Sequence, residues 1–283
     1  METPPGWTLE PPPAASAPVP AADPFGKPKR SWIREKLSAL GAAIIALAAK
    51  LKAVLLLLPK IKLLATAGTA LVSIAAYATI WGWQFAVGLV VLLFVHEMGH
   101  VVALRRHGLK ASAPMFVPFM GAVIWARSLG DDALTEARVG LAGPIFGAVA
   151  AAAVAVLGFA THTELLQALG YFGFFLNLFN LIPVVPLDGG RAMAAMAPWM
   201  WFAGFGGLVL LEFIEPNPVL LIICVLSGYS LYQRWHSRKA PTAAQTAYYK
   251  VSPRNRMLVG ATYIGLSIAL AIGMHFTYLH RTL

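Results

Sequence analysis

"LLFVHEMGHVVALRR", residues 92–106, sets two histidines and a glutamate in a run otherwise made of hydrocarbon. Ionisable side chains at membrane depth are costly to hold and are usually functional. The stretch reads as one helix, so His96 and His100, four apart, share a face, with Glu97 beside them. On a helix, His-Glu-x-x-His is an arrangement in which two imidazoles hold one metal ion and the carboxylate serves as general base. With seven histidines and eight glutamates in 283 residues, chance supplies roughly 0.005 such patterns. The competing reading, polar groups that only glue helices together, is therefore the weaker one.

The surroundings say what kind of molecule holds this pattern. Hydrophobic residues make up 58% of the chain and charged ones 12%, against about 25% charged in soluble domains. The apolar residues fall in long blocks, which predicts an all-α polytopic membrane protein. A net charge of +10 would point to nucleic acid in a soluble protein. In a membrane protein it marks inner loops instead, so no nucleic-acid partner is expected. Cys224, the single cysteine, cannot form an internal disulfide and reads as a buried structural thiol.

Residues 1–30 are rich in Pro and Ala, end in "KPKR" and lack the apolar core of a signal peptide; a disordered cytoplasmic tail is expected. Residues 31–62 are apolar but broken by Lys36, Lys50, Lys52, Lys60, Lys62 and Pro59, which fits a basic helical segment in the membrane interface. About six to seven spans follow, at 63–83, 84–104, 139–160, 165–187, 191–214, 217–233 and 257–280. The fifth, interrupted by Pro198 and three glycines, and the short sixth are the weakest. With the N-terminus inside, all twelve Lys and Arg from Arg105 to Arg256 fall on the inner side, and the outer turns carry none. The short apolar stretch "APMFVPFMGAVIWA", residues 113–126, contains Pro114, Pro118 and Gly121 among β-prone Val117, Phe119, Val123 and Ile124. It predicts a re-entrant β-like hairpin rather than a helix. Residues 127–138 read as a polar connector.

A catalytic metal wants a third protein ligand and one open position. Of four aspartates, Asp23 lies in the tail and Asp131 and Asp132 in the connector; Asp188 alone ends an apolar span, in "NLFNLIPVVPLDGGR". On this topology it emerges on the same inner side as His100. Asn180, eight residues earlier and taken as two turns up the same span, fits either a hydrogen bond to substrate backbone or a helix–helix bond. Asn177 fits the helix–helix bond better. Gly143 and Gly147, spaced G-x-x-x-G, predict close helix packing.

"HEMGH", "GLAGPIFGAV" from Gly140 and "NLIPVVPLDGG" occur in the order found in the site-2 protease family of intramembrane zinc metalloproteases, which the chain closely resembles over residues 63–190. The resemblance implies a three-helix catalytic core around one Zn2+ per chain near the cytosolic face. His96, His100 and Asp188 would be its ligands, and Glu97 the base that activates the attacking water. It also implies regulated intramembrane proteolysis, with membrane-tethered regulators in the bilayer as substrates. Residues 191–283 would be additional C-terminal transmembrane helices. The expected location is a bacterial or archaeal plasma membrane, with the N-terminus and active site toward the cytosol. A helical substrate hides its peptide bonds, so the hairpin residues Phe116, Val117, Pro118, Phe119 and Gly121, together with Asn180, are the expected substrate-binding set. The alternatives are a metal-ion transporter, for which internal repeats are missing, and a non-proteolytic membrane protein on the same scaffold, against which Glu97 speaks.

Overall fold

Gly82 takes a positive φ of +81°, which L-residues with a Cβ avoid, and so divides what would be one long apolar helix into two. Leu64–Trp81 is α1 and Trp83–Arg106 is α2. The computed structural model describes residue 50 and residues 64–119, 121–124, 132–239 and 242–278. The tail at 1–30 and, Lys50 aside, the basic segment at 31–62 therefore lie outside the described residues. Contacts divide the chain into two units, Met1–Leu56 and Leu57–Leu283. Helix α1 and every later element belong to the second.

After α2 the chain forms an antiparallel hairpin of β1 (Met115–Val117) and β2 (Gly121–Val123), with Phe116 opposite Ala122. Phe119 and Gly121 both adopt positive φ around its turn. The expected β character of 113–126 is present, but Ile124 lies past the strand. Helix α3 then runs over Ala133–Ala160. It starts six residues before the expected span, inside the supposed polar connector, because the Asp132 carboxylate caps it by accepting the Thr135 N–H at 2.8 Å. Hydropathy misses this start because it carries Glu136 and Arg138.

Helix α4 (Glu164–Asn180) and helix α5 (Asp188–Met196) correct the expected span at 165–187. The helix stops at Asn180, and Pro183 and Pro186 keep the following seven residues non-helical by removing donors and crowding the preceding carbonyls. Asp188 therefore begins a new helix rather than ending a span. Residue 190, where the sequence reading closes its core, lies inside α5. The expected 191–214 span is likewise two pieces, α5 and α6 (Met200–Ile214), parted at Ala197–Trp199 around Pro198. Three more helices follow: α7 (Pro218–Lys239), α8 (Ala243–Tyr248) and α9 (Pro253–Thr277). Among the described residues four helices, α1, α2, α3 and α9, are long and apolar enough to cross a membrane, and α6 is a shorter apolar one.

Helix α3 packs most extensively against α2, α4 and α5, and α9 covers α4. Large apolar side chains point outward on several helices, among them Val72, Val149, Val156, Phe213 and Phe276. That is the inside-out distribution expected of lipid-facing surfaces. The interior is packed through small residues. A Cβ on Gly99 would lie 2.4 Å from the Ala142 carbonyl oxygen, so α2 meets α3 at backbone distance there. Gly99→Ala should therefore force the two helices apart and cost about 1–3 kcal/mol, read as a lower melting temperature of the purified protein in detergent. Gly206→Ala, on α6 with open space around it, should instead stabilise by about 0.5–1 kcal/mol.

Candidate metal centre

Two elements build the site. Helix α2 supplies His96, Glu97 and His100 from one face, and α5 supplies Asp188 as its first residue. All four are buried. The Nε2 atoms of His96 and His100 lie 3.1 and 3.2 Å from the same oxygen of Asp188, Oδ2. They are 3.2 Å from each other.

The far sides of both rings are fixed by hydrogen bonds. His100 Nδ1 lies 2.8 Å from the Val139 carbonyl oxygen on α3, which only accepts, so Nδ1 carries the hydrogen. His96 Nδ1 lies 2.8 Å from Asn177 Oδ1 on α4. The Asn177 amide is itself oriented, because its Nδ2 donates to the Gly173 carbonyl at 2.7 Å. That leaves Oδ1 as acceptor and puts the hydrogen of His96 on Nδ1 as well. In the neutral rings both Nε2 atoms then offer lone pairs toward Asp188, the tautomer a metal ligand requires. Three ligand atoms within 4.8 Å of one another, two of them imidazole nitrogens so held and one a carboxylate oxygen, fit a divalent cation of the zinc type.

Two α3 glycines make room for this arrangement. A Cβ on Gly143 would sit 2.1 Å from His100 Nε2, and one on Gly147 would sit 2.1 Å from Asn177 Oδ1. The expected packing role for this pair is thus more specific than helix approach: each glycine clears space for a polar side chain.

The predicted substrate residues fall into two places. Asn180 is the last residue of α4, half-buried, and its side chain makes no hydrogen bond among the described residues. It does not lie two turns up Asp188's own helix, as the sequence spacing implies, because that helix is broken between them. Asn177 is the residue that sequence reasoning undervalues. It does make a helix–helix bond, but its partner is His96, and the signal is its place one turn before Asn180 in the same motif. On the hairpin, Phe116 is buried with its ring 6.5 Å from that of Phe94 on α2. Its N–H donates to Thr69 Oγ1 at 3.2 Å. The Phe119 N–H donates to the Tyr77 hydroxyl at 3.1 Å. Val117, Pro118 and Gly121 are half-buried between them. Glu97 is buried beside the histidines, and no donor meets its carboxylate among the described residues.

A second cluster, around buried Glu136, has no sequence signal. Glu136, in the first turn of α3, pairs with Arg234 of α7 at 3.0 Å and accepts the Tyr248 hydroxyl of α8. Burial and the Glu136 carboxylate push the Tyr248 phenol well above its ordinary range, so it remains a donor.

Residues 84–164 match the family described as Peptidase family M50. That segment is similar to the M50 peptidases. His96, Glu97 and His100 lie within it, and Asp188 lies past its last matched residue. Relatives extend the similarity over more of the chain. The zinc metalloprotease MJ0392 of Methanocaldococcus jannaschii is 28% identical over 211 residues, covering 68% of this chain and 61% of that protein. The putative zinc metalloprotease Rip3 of Mycobacterium tuberculosis is 30% identical over 144 residues, 46% of this chain and 35% of its own length. The probable zinc metalloprotease EGY1, chloroplastic, of Arabidopsis thaliana is 27% identical over 190 residues, 50% of this chain and 33% of its own. The chain thus spans less than two thirds of the length of each of these relatives.

Loss of the Asn177 amide should free the His96 ring to rotate and change tautomer. Asn177→Ala is expected to weaken divalent-metal binding by about 10–100-fold, measured by competition with a chromogenic chelator. Gly147→Ala should show the same defect by evicting that amide.

Proposed function

We propose that the chain is a membrane-embedded zinc endoprotease that hydrolyses peptide bonds in or near the membrane-spanning segments of other proteins. The observation that carries this reading is the convergence of His96, His100 and Asp188 on one point beside Glu97, within a buried helical core of M50 sequence. The relatives' names support both the metal and the reaction. His96, His100 and Asp188 would hold one Zn2+, which when bound supplies a Lewis acid that polarises the scissile carbonyl and lowers the pKa of water toward about 7.

The chain's own residues do the rest. Glu97, buried beside the histidines, takes the proton of the attacking water and delivers it to the leaving amine. Asn177 and the Val139 carbonyl keep the imidazoles neutral and aimed. Asn180, whose amide has no partner among the described residues, binds substrate backbone or steadies the oxyanion. Three helices, α2, α3 and α4, with the Asp188 segment form the catalytic core within residues 63–190, and the helices after it are additions. Residues 1–30 are proposed as a cytoplasmic tail and 31–62 as its interfacial anchor. The basic ends of α2 (Arg105, Arg106) and α9 (Arg254, Arg256) support an inner-facing site. That topology takes α4 and the C-terminal helices as further crossings, with the hairpin re-entrant. Membrane-tethered regulators in a bacterial or archaeal plasma membrane are the proposed substrates.

The hairpin has one edge to offer. Because the Phe116 N–H points to Thr69, the Phe116–Ala122 pair is the non-hydrogen-bonded kind. The backbone groups of Ala122 therefore face away from β1. An unwound substrate segment adds to β2 through them. Ala122→Pro leaves the β1–β2 bonds intact but removes the outward donor. It should cut hydrolysis of a helical membrane substrate by at least about tenfold, an effect comparable to one strong hydrogen bond, with metal content unchanged. Equal cleavage by both proteins would rule out strand addition at β2.

The decisive experiment is Glu97→Gln. The variant should keep one zinc per chain by elemental analysis and lose cleavage by a factor of at least about 10². Cleavage is read in host membranes as new protein N-termini that appear with the wild type. If those N-termini persist with Glu97→Gln, Glu97 is not the base. Asp188→Ala should lose the metal as well.

A further inference from the structure

We propose that Trp201 and Tyr263, contributed by helices beyond the M50 match, are positioning residues for Asp188. This rests on the reading of His96, His100 and Asp188 as metal ligands. Asp188 starts a helix after seven non-helical residues, so nothing in regular secondary structure fixes its approach to α2. A ligand carboxylate has to be held to within about 0.5 Å by its supporting shell. Arg191, the neighbour one turn along, stands 3.8 Å from Asp188 Oδ1 and is partly exposed.

Two hydrogen bonds from outside brace the flanks of this segment. On one side, the Tyr263 hydroxyl of α9 donates to the Leu181 carbonyl at 2.6 Å. Leu181 closes α4, where carbonyls lose their helical partners. The same oxygen is the surface against which Gly189 rests, since a Cβ there would lie 2.1 Å from it. Tyr263 thus fixes the atom that fixes the residue after Asp188. On the other side, the Trp201 indole of α6 donates to the Gly190 carbonyl at 2.7 Å, fully buried. Gly190 in turn lies against Val184, where a Cβ would be 2.3 Å from the carbonyl carbon.

Trp201 is itself held. The Arg234 guanidinium stacks over its ring at 4.6 Å and pairs with buried Glu136 at 3.0 Å. Glu136 stands on α3 one turn before Val139, whose carbonyl orients His100. A closed circuit therefore runs from His100 through Val139 and Glu136 to Arg234, Trp201, Gly190 and Asp188. It ties a ligand of α2 to the ligand of α5 through side chains of α3, α6 and α7. This gives the buried Glu136 cluster, which the proposed hydrolysis does not use, a part in assembling the site.

The test compares Trp201→Phe and Tyr263→Phe with the wild type, each removing a donor while keeping the ring. Trp235→Phe, on the exposed side of α7 and outside the circuit, is the control. Full-length protein is stripped of metal and titrated with Co2+, following the visible d–d bands and affinity, and the metal-free forms are melted in parallel. The two donor variants should bind Co2+ about tenfold more weakly with altered band intensities, while their metal-free melting matches the wild type and the control is unchanged. Tyr263→Phe loses a single oxygen atom and keeps the test open should Trp201→Phe fail to fold. Wild-type affinity and spectrum in the donor variants would overturn the proposal and leave the metal reading intact. Weakened binding accompanied by an equal fall in metal-free melting would overturn it as well, as ordinary packing. Absence of Co2+ binding by the wild type would remove the metal reading itself.

Discussion

One carboxylate oxygen shared between two imidazole nitrogens, inside a helical interior, is the constraint around which the described part of the chain is arranged. Such a cluster of electron-rich atoms is tolerable only when every other polar contact is satisfied and the geometry leaves no freedom. The two rings meet that demand by handing their remaining hydrogens to α3 and α4. The carboxylate meets it by riding on a backbone that is itself pinned at both flanks. Remove the sharing, and the glycines of α3, the break after Asn180 and the burial of Glu97 lose their common reason.

The His96–His100–Asp188 cluster depends on α3 lying between its parts. One carbonyl of this helix orients His100, and two of its glycines admit the His100 ring and the Asn177 amide. A strong hydrogen bond in a low-dielectric interior thus connects α2 to α4 past a helix that presents almost no side chain of its own. The first turn of the same helix holds Glu136, where the C-terminal helices attach. The site and the helices that follow it are consequently not separable layers, even though the similarity to Peptidase family M50 ends at residue 164.

Much of this is legible from residues alone. The pairing of His96 with His100 needs only the helical repeat, and Asp188 stands out because aspartate is so scarce in this chain. The hairpin announces itself through two prolines and a glycine in a run too short to cross. Register between elements is what residues alone do not carry. Asn177 and Asn180 are one turn apart, and only packing decides which of them meets His96. Hydropathy draws the 165–187 and 191–214 spans through breaks that Pro183, Pro186 and Pro198 impose, because averaging over a window blurs single donors lost. It also sets the start of α3 too late, since a capping aspartate and an early ion pair look like loop to any scale of greasiness. Trp201, Arg234 and Tyr263 lie in stretches where nothing local marks them; their meaning is entirely in what they touch.

Helix α3 also shows how a membrane helix knows which way to face. From Val139 onward its lipid-facing positions, such as Val149 and Val156, and its inward ones are all apolar, so polarity gives this stretch no front or back. Its buried positions past Pro144 are Gly147, Ala151, Ala155 and Gly158, recurring every three or four residues. Orientation is therefore encoded in bulk, with the slim side turned to the protein and the broad side to the hydrocarbon. In a solvent as greasy as the core, the missing methyl group takes over the signalling that charge performs at a water-facing surface.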